Sequence, residues 1–225
     1  MQQKTFLRRS VVKMKYVFYV IGILILTLGI SFTIQSDIGT SPFDALLVGL
    51  SKNVGLTVGS WEIIIALVLI CVNSFLIKQR PEVLGLLTAI ITGVGIDMWL
   101  FLLENLITLE MWYLKVICFA TGLVIIGLGT AIYLHTNFAP MPIDRLTLII
   151  LDLTKTSILL SRTFIYLVFL IFALIFNGPI GLGTILTVCL GGVILNYFRP
   201  LTQVVLDGIL IRSGSSSNNN KDKEH

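Results

Sequence analysis

Apolar residues fill the chain in long blocks, and the charged residues stand almost entirely between them. Six blocks are long enough to cross a hydrocarbon layer, which takes about 20 residues of helix. They cover 16–34, 60–77, 83–103, 112–134, 160–176 and 180–198. Two further stretches, 42–58 and 142–157, have helical character but are short. The first carries Asp44, Lys52 and Asn53, and the second carries Asp144, Arg145, Asp152 and Lys155. An ionisable group at the centre of a spanning helix costs several kcal/mol. Both stretches therefore read as re-entrant or interfacial helices. The predicted fold is all-α: a polytopic membrane bundle of six transmembrane helices with two short helices between them. Beyond it, 200–212 reads as a short interfacial segment, and 213–225 (SGSSSNNNKDKEH) as a disordered polar tail with nothing to bury.

Composition agrees with the pattern. The chain of 225 residues is 56% hydrophobic and 12% charged, with a mean hydropathy of +0.95. A soluble domain carries roughly 25% charged residues, so a water-soluble fold, a nucleic-acid binder and a secreted disulfide scaffold are excluded. The net charge of +4 is a matter of placement. Lys4, Arg8, Arg9, Lys13 and Lys15 crowd the basic N-terminus (1–15) before the first block, which the positive-inside rule puts in the cytoplasm. The first block is longer than the apolar core of a leader and is followed by no small-residue cleavage site, so it reads as a retained span. With six crossings, every Lys and Arg except Lys52 and Lys115 falls on the cytoplasmic side, and both termini are cytoplasmic. With eight crossings only Lys78, Arg80 and Arg145 would lie outside, with Lys52 buried in a span; the polarity of the short helices favours six.

The chain repeats itself at an offset of 100 residues. Lys15, Gly22, Ile25, Leu28, Gly29, Pro42, Asp44 and Leu46 recur as Lys115, Gly122, Ile125, Leu128, Gly129, Pro142, Asp144 and Leu146, and further along, at an offset of 98, Gly85 and Gly93 recur as Gly183 and Gly191. The halves, 16–110 and 111–199, each contain three spans and one short helix. An odd number of crossings per half predicts an inverted 3+3 repeat, an arrangement used by secondary transporters with the site at the repeat interface.

The runs GTSPFDALLVGLSKNVGLTVGSW (39–61), RPEVLGLLTAIITGVGIDMWL (80–100) and NGPIGLGTI (177–185) resemble, as an ordered set, the YczE-like family of bacterial integral membrane proteins (the YczE/YyaS/YitT group). The resemblance covers roughly residues 15–200. It implies a multi-pass protein of the bacterial plasma membrane, and the family has no agreed activity from which site residues would carry over. The second copy departs from the first where Gly39-Thr40-Ser41 becomes Ala139-Pro140-Met141.

Candidate chemistry is confined to a few polar positions inside this apolar frame. Ser41-Pro42-Phe43-Asp44 has the form of a helix start, with serine as N-cap, proline at N1 and aspartate in the first turn. Pro142 and Asp144 repeat the pattern. The bland reading is that both aspartates cap their helices. The sharper one is that two polar, proline-broken helices entering from opposite sides form the halves of one cavity, suited to a cation or proton, with Arg145 either paired to Asp144 or facing a substrate. Asp97 continues the series Gly85, Ala89, Gly93 at intervals of four, so it shares their face and points into the bundle. An intramembrane carboxylate is by default a functional candidate. Glu62, at the start of a span, reads as interfacial, and Trp61, Trp99, Trp112 and Tyr113 read as an aromatic belt.

Cys71, Cys118 and Cys189 form no CxxC pair, and His135 and His225 are the only histidines, so no metal or cofactor is expected. No nucleophile arrangement appears, which points away from an enzyme. The leading expectation is a small transporter or permease for a small solute or ion, with Pro42, Asp44, Asp97, Pro142, Asp144 and Arg145 as candidate binding residues. The alternative is a non-transporting accessory protein that binds or stabilises a partner. Apart from the lipid bilayer, the partners left open are a second copy and another membrane component.

Overall fold

The computed structural model describes residues 2–106 and 110–219, with side chains over 14–106 and 110–209. It is all-helical: α1 (Gln2–Gln35), α2 (Pro42–Val54), α3 (Val58–Ile77), α4 (Leu84–Leu106), α5 (Trp112–His135), α6 (Pro142–Thr154), α7 (Ile158–Ile175) and α8 (Leu182–Asn219). Six of these contain stretches long and apolar enough to cross a membrane: Met14–Gln35, Val58–Ile77, Leu84–Leu106, Trp112–His135, Ile158–Ile175 and Leu182–Ile209. α2 and α6 are the two short helices.

α1 and α5 form the centre and run antiparallel. Their repeated Gly-x6-Gly pairs make the contact. A methyl group added at Gly29 would lie 2.7 Å from the Gly122 carbonyl oxygen, and one added at Gly122 would lie 2.8 Å from that of Gly29. The same holds for the other pair, where a methyl on Gly129 would lie 2.9 Å from the Gly22 oxygen. Exchange of the halves turns one pair into the other, so the glycines noticed as a repeat are the surface on which the two copies meet. Lys115 at the start of α5 reaches Asp37 just past the end of α1 (3.2 Å). At the opposite end, Tyr16 and Tyr19 stack edge-on against Phe138, just past α5.

Further packing follows the same exchange. α4 lies on α1 and α8 on α5; α2 lies on α7 and α6 on α3. α2 leaves from and returns to the end where α1 finishes, because α3 starts beside Asp97 in the later part of α4. α6 leaves from the end where α5 finishes and leads into α7, and the carbonyl of Phe176, just past the end of α7, accepts from Asn53 in α2 (2.5 Å). The short helices thus enter the bundle from opposite ends.

Two of the runs that carry the family resemblance touch. The Thr40 N–H donates to the Pro179 carbonyl (3.3 Å) and the Gly183 N–H to that of Ile38 (3.1 Å). Gly39 has φ +116°, and a methyl there would meet the Gly181 nitrogen at 2.7 Å. Both the left-handed conformation and the close approach require glycine.

The structure differs from the sequence reading at several boundaries. α2 and α6 stop at Val54 and Thr154, not at 58 and 157, because Gly55 (φ 96°) and Lys155 (φ 55°) turn left-handed and end the helices. α8 does not break at Pro200 but continues to Asn219, across the segment read as interfacial and into the one read as a disordered tail; residues 220–225 of that tail lie outside the described residues. Proline removes a helical donor, and the Thr202 hydroxyl bonds the neighbouring Phe198 and Arg199 carbonyls at 3.0 Å each. Hydroxyls commonly re-satisfy backbone around prolines in membrane helices.

Candidate functional site: a polar cavity at the mouths of the two short helices

Between α1, α2, α5, α6, α7 and α8 lies a cavity of about 120 Å³, lined by Ser41, Asp44, Tyr133, Asp144, Arg162 and Tyr166 among apolar residues. The two repeat-related aspartates face the same space, each positioned by the proline-started helix that bears it.

Their surroundings differ. On α2, Ser41 caps the helix by accepting from the Asp44 N–H (3.2 Å), and its hydroxyl donates to the Asp44 carboxylate (2.6 Å). Asp44 is 6% exposed. Burial pushes its carboxyl up to about 6, against the opposing pull of the Ser41 and Thr40 hydroxyls. On α6 the capping residue is Met141, which has no hydroxyl to offer. Asp144 instead accepts from the Tyr133 hydroxyl of α5. Loss of the cap serine frees the second carboxylate from its own helix and turns it towards the cavity wall.

Arg162, on the first turns of α7, supplies the positive charge. Its Nε donates to the Tyr166 hydroxyl (3.1 Å), and its guanidinium stands 5.3 Å from the centre of that ring. Among the described residues it has no carboxylate within ion-pair distance. The sequence reading missed Arg162 by taking it as the start of a span. A signal was present: at the repeat offset of 100, Arg162 corresponds to Glu62, an ionisable residue at the same place in each half. Glu62 is 4% exposed, packed inside the bundle and near enough to Asp44 for their charges to interact.

The other candidates are placed elsewhere. Arg145 pairs with Glu82 (2.7 Å), not with Asp144, although the latter adjoins it in sequence. Neighbours in a helix point in different directions. Pro142 lies at the start of α6, where its carbonyl accepts from Asn73 of α3 (3.0 Å), and Pro42 is buried at the start of α2. Asp97 is outside the cavity. It accepts from the Thr57 hydroxyl (2.6 Å) and the Gly59 N–H (2.7 Å), adding a partner at the N-terminus of α3, where Thr57 itself caps the Ser60 N–H. It reaches that terminus because Gly59 and Gly93 let α3 and α4 touch, a methyl on Gly93 coming within 2.4 Å of the Gly59 oxygen. No group of three or more potential metal-ligating side chains occurs among the described residues.

Six apolar spans, four of which help to wall a small polar cavity, define a multi-pass membrane protein. Residues 13–200 match the family of unknown function DUF6198, and the chain belongs to that family. It is 63% identical over 190 residues to the uncharacterized protein YyaS of Bacillus subtilis (strain 168), covering 84% of this chain and 94% of that protein. It is 34% identical over 200 residues to the uncharacterized membrane protein YczE of the same organism, covering 88% and 92%. No solved structure matches.

Proposed function

We propose that this protein is a small permease whose solute or ion binds in the Asp44–Asp144–Arg162 cavity. The observation that carries the reading is the convergence on a single space, inside a largely apolar bundle, of two repeat-related carboxylates and an arginine that has no carboxylate partner among the described residues. Intramembrane ionisable residues are costly and mark substrate and ion paths. The antiparallel α1–α5 seam and the entry of α2 and α6 from opposite ends support an inverted 3+3 repeat with the site at its interface. The basic N-terminus orients both termini to the cytoplasm. Two carboxylates and a guanidinium suit a zwitterion or a small cation, and a carboxyl that titrates near 6 suits coupling to protons.

The test is melting of the purified protein against a panel of amino acids, quaternary amines, Na⁺ and K⁺, followed by flux of any stabilising solute in proteoliposomes. Stabilisation of the wild type that Asp144→Asn abolishes, together with flux, is the expected result. Stabilisation with no flux would replace the permease by the accessory reading.

A further inference from the structure

The first half of the bundle is closed where the second is open. α3 and α4 touch through Gly59 and Gly93. Their counterparts α7 and α8 are not packed on each other, and a methyl on Gly191, the repeat equivalent of Gly93, would meet nothing within 4 Å. Between α7 and α8 lies a crevice of about 590 Å³ whose walls are almost wholly apolar, including Leu167, Leu170, Ile185 and Val188. It lies between two spans, so it faces the hydrocarbon layer, where a gap is filled by chains and not by water. The crevice adjoins the polar cavity: Tyr166 lines both, and at the start of α2 Pro42 lines the crevice while Ser41 and Asp44 line the cavity.

We infer that the site takes a single-chain zwitterionic amphiphile, with its headgroup in the polar cavity and its chain between α7 and α8, entering sideways from the bilayer. Charge decides the headgroup. Arg162 retains N–H donors beyond the one given to Tyr166 and meets a phosphate or carboxylate, while Asp44 and Asp144 meet an ammonium. One crevice, bounded by one pair of helices, takes one chain. The inference rests on the cavity being the binding site, and it adds the class of ligand and the route by which that ligand arrives.

Cys189 is exposed, lines the crevice and serves as the reporter. In a Cys71→Ser background, purified in dodecyl maltoside, the rate of Cys189 alkylation by N-ethylmaleimide is followed with added lysophosphatidylcholine. Monoacylglycerol supplies the chain control and glycerophosphocholine the headgroup control. Buried Cys118, slow to react only while the bundle is folded, reports folding in every variant. Lysophosphatidylcholine protects Cys189, and Arg162→Gln requires about tenfold more of it, the worth of one charge-assisted hydrogen bond. Leu167→Trp, which fills the crevice, abolishes protection while Cys118 stays unreactive.

Equal protection by monoacylglycerol would overturn the inference, leaving a groove that merely faces lipid. So would ready Cys189–Cys189 cross-linking, which would put a second copy on this face. Protection by glycerophosphocholine alone, or solute flux with no amphiphile protection, would also overturn it while leaving the permease reading intact. Protection with no transport of any ligand would uphold the amphiphile site and remove the permease.

Discussion

Gly29→Leu is expected to prevent the protein from folding to a bundle that survives purification. A side chain at this position begins 2.6 Å from the Ile126 nitrogen and 2.7 Å from the Gly122 oxygen, both backbone atoms of α5. Flexible side chains can move aside, but a helix backbone can do so only by separating the two helices. Overpacking a well-filled interior costs about 1–3 kcal/mol and occasionally more. Here the cost falls on the seam that joins the halves. Membrane helices associate through close packing and not through a hydrophobic drive, so separation of α1 from α5 would leave little to hold the halves together. Gly129→Leu should do the same, its Cβ lying 2.4 Å from the Leu26 nitrogen, whereas Gly191→Ala should leave melting unchanged because that Cβ meets nothing. Yield of monodisperse protein after detergent extraction, and melting of whatever survives, check the ranking; a Gly191 variant as damaged as the Gly29 one would contradict the packing described.

Arg162→Gln is expected to raise the half-saturating concentration of the transported ligand about ten- to a hundredfold while leaving melting of the empty protein close to wild type. A hydrogen bond to a charged group is worth about 1.5–3 kcal/mol, and each 1.4 kcal/mol is about tenfold in affinity. Arg162 has no carboxylate within ion-pair distance among the described residues, so its replacement strands no such partner. Asp144→Asn should weaken binding similarly, since it keeps an acceptor for the Tyr133 hydroxyl but loses the charge. Asp97→Asn should leave flux unchanged, because its carboxylate serves the N-terminus of α3. Flux measured in proteoliposomes for the three variants separates them. An Asp97 variant that fails while the Arg162 variant works would move the site to the α3–α4 seam.

The six spans were legible because a hydrocarbon layer demands some 20 apolar residues and admits few charges; no finer knowledge is needed to place them. The short helices were legible for the complementary reason, that Asp44, Lys52, Asp144 and Arg145 could not all lie in spans. Their ends were not, since a helix stops where Gly55 and Lys155 turn left-handed, and a lysine gives no warning of that. The Gly-x6-Gly pairs could be seen to repeat, but only the structure shows that the copies face each other. Within the site, Asp44 and Asp144 were found through the repeat, and Arg162 was lost because a span start tolerates a snorkelling arginine. Arg145 reads from sequence as paired to Asp144 or facing a substrate, and Asp97 as a functional candidate, whereas each has a partner distant in sequence: Glu82 for Arg145, and the Thr57–Gly59 turn for Asp97. Partners brought close only by tertiary packing leave no trace in local spacing.

The central claim is that α2 and α6 enter the bundle from opposite faces and meet at one cavity. Impermeant-maleimide labelling of single cysteines at exposed positions just inside and just past their C-termini, Lys52→Cys and Lys155→Cys, tests it most directly in a background lacking Cys71, Cys118 and Cys189. The account predicts that Lys52→Cys reacts in intact cells and that Lys155→Cys reacts only after permeabilisation. Reaction of both in intact cells, or of neither, would place the two short helices on one face and contradict it.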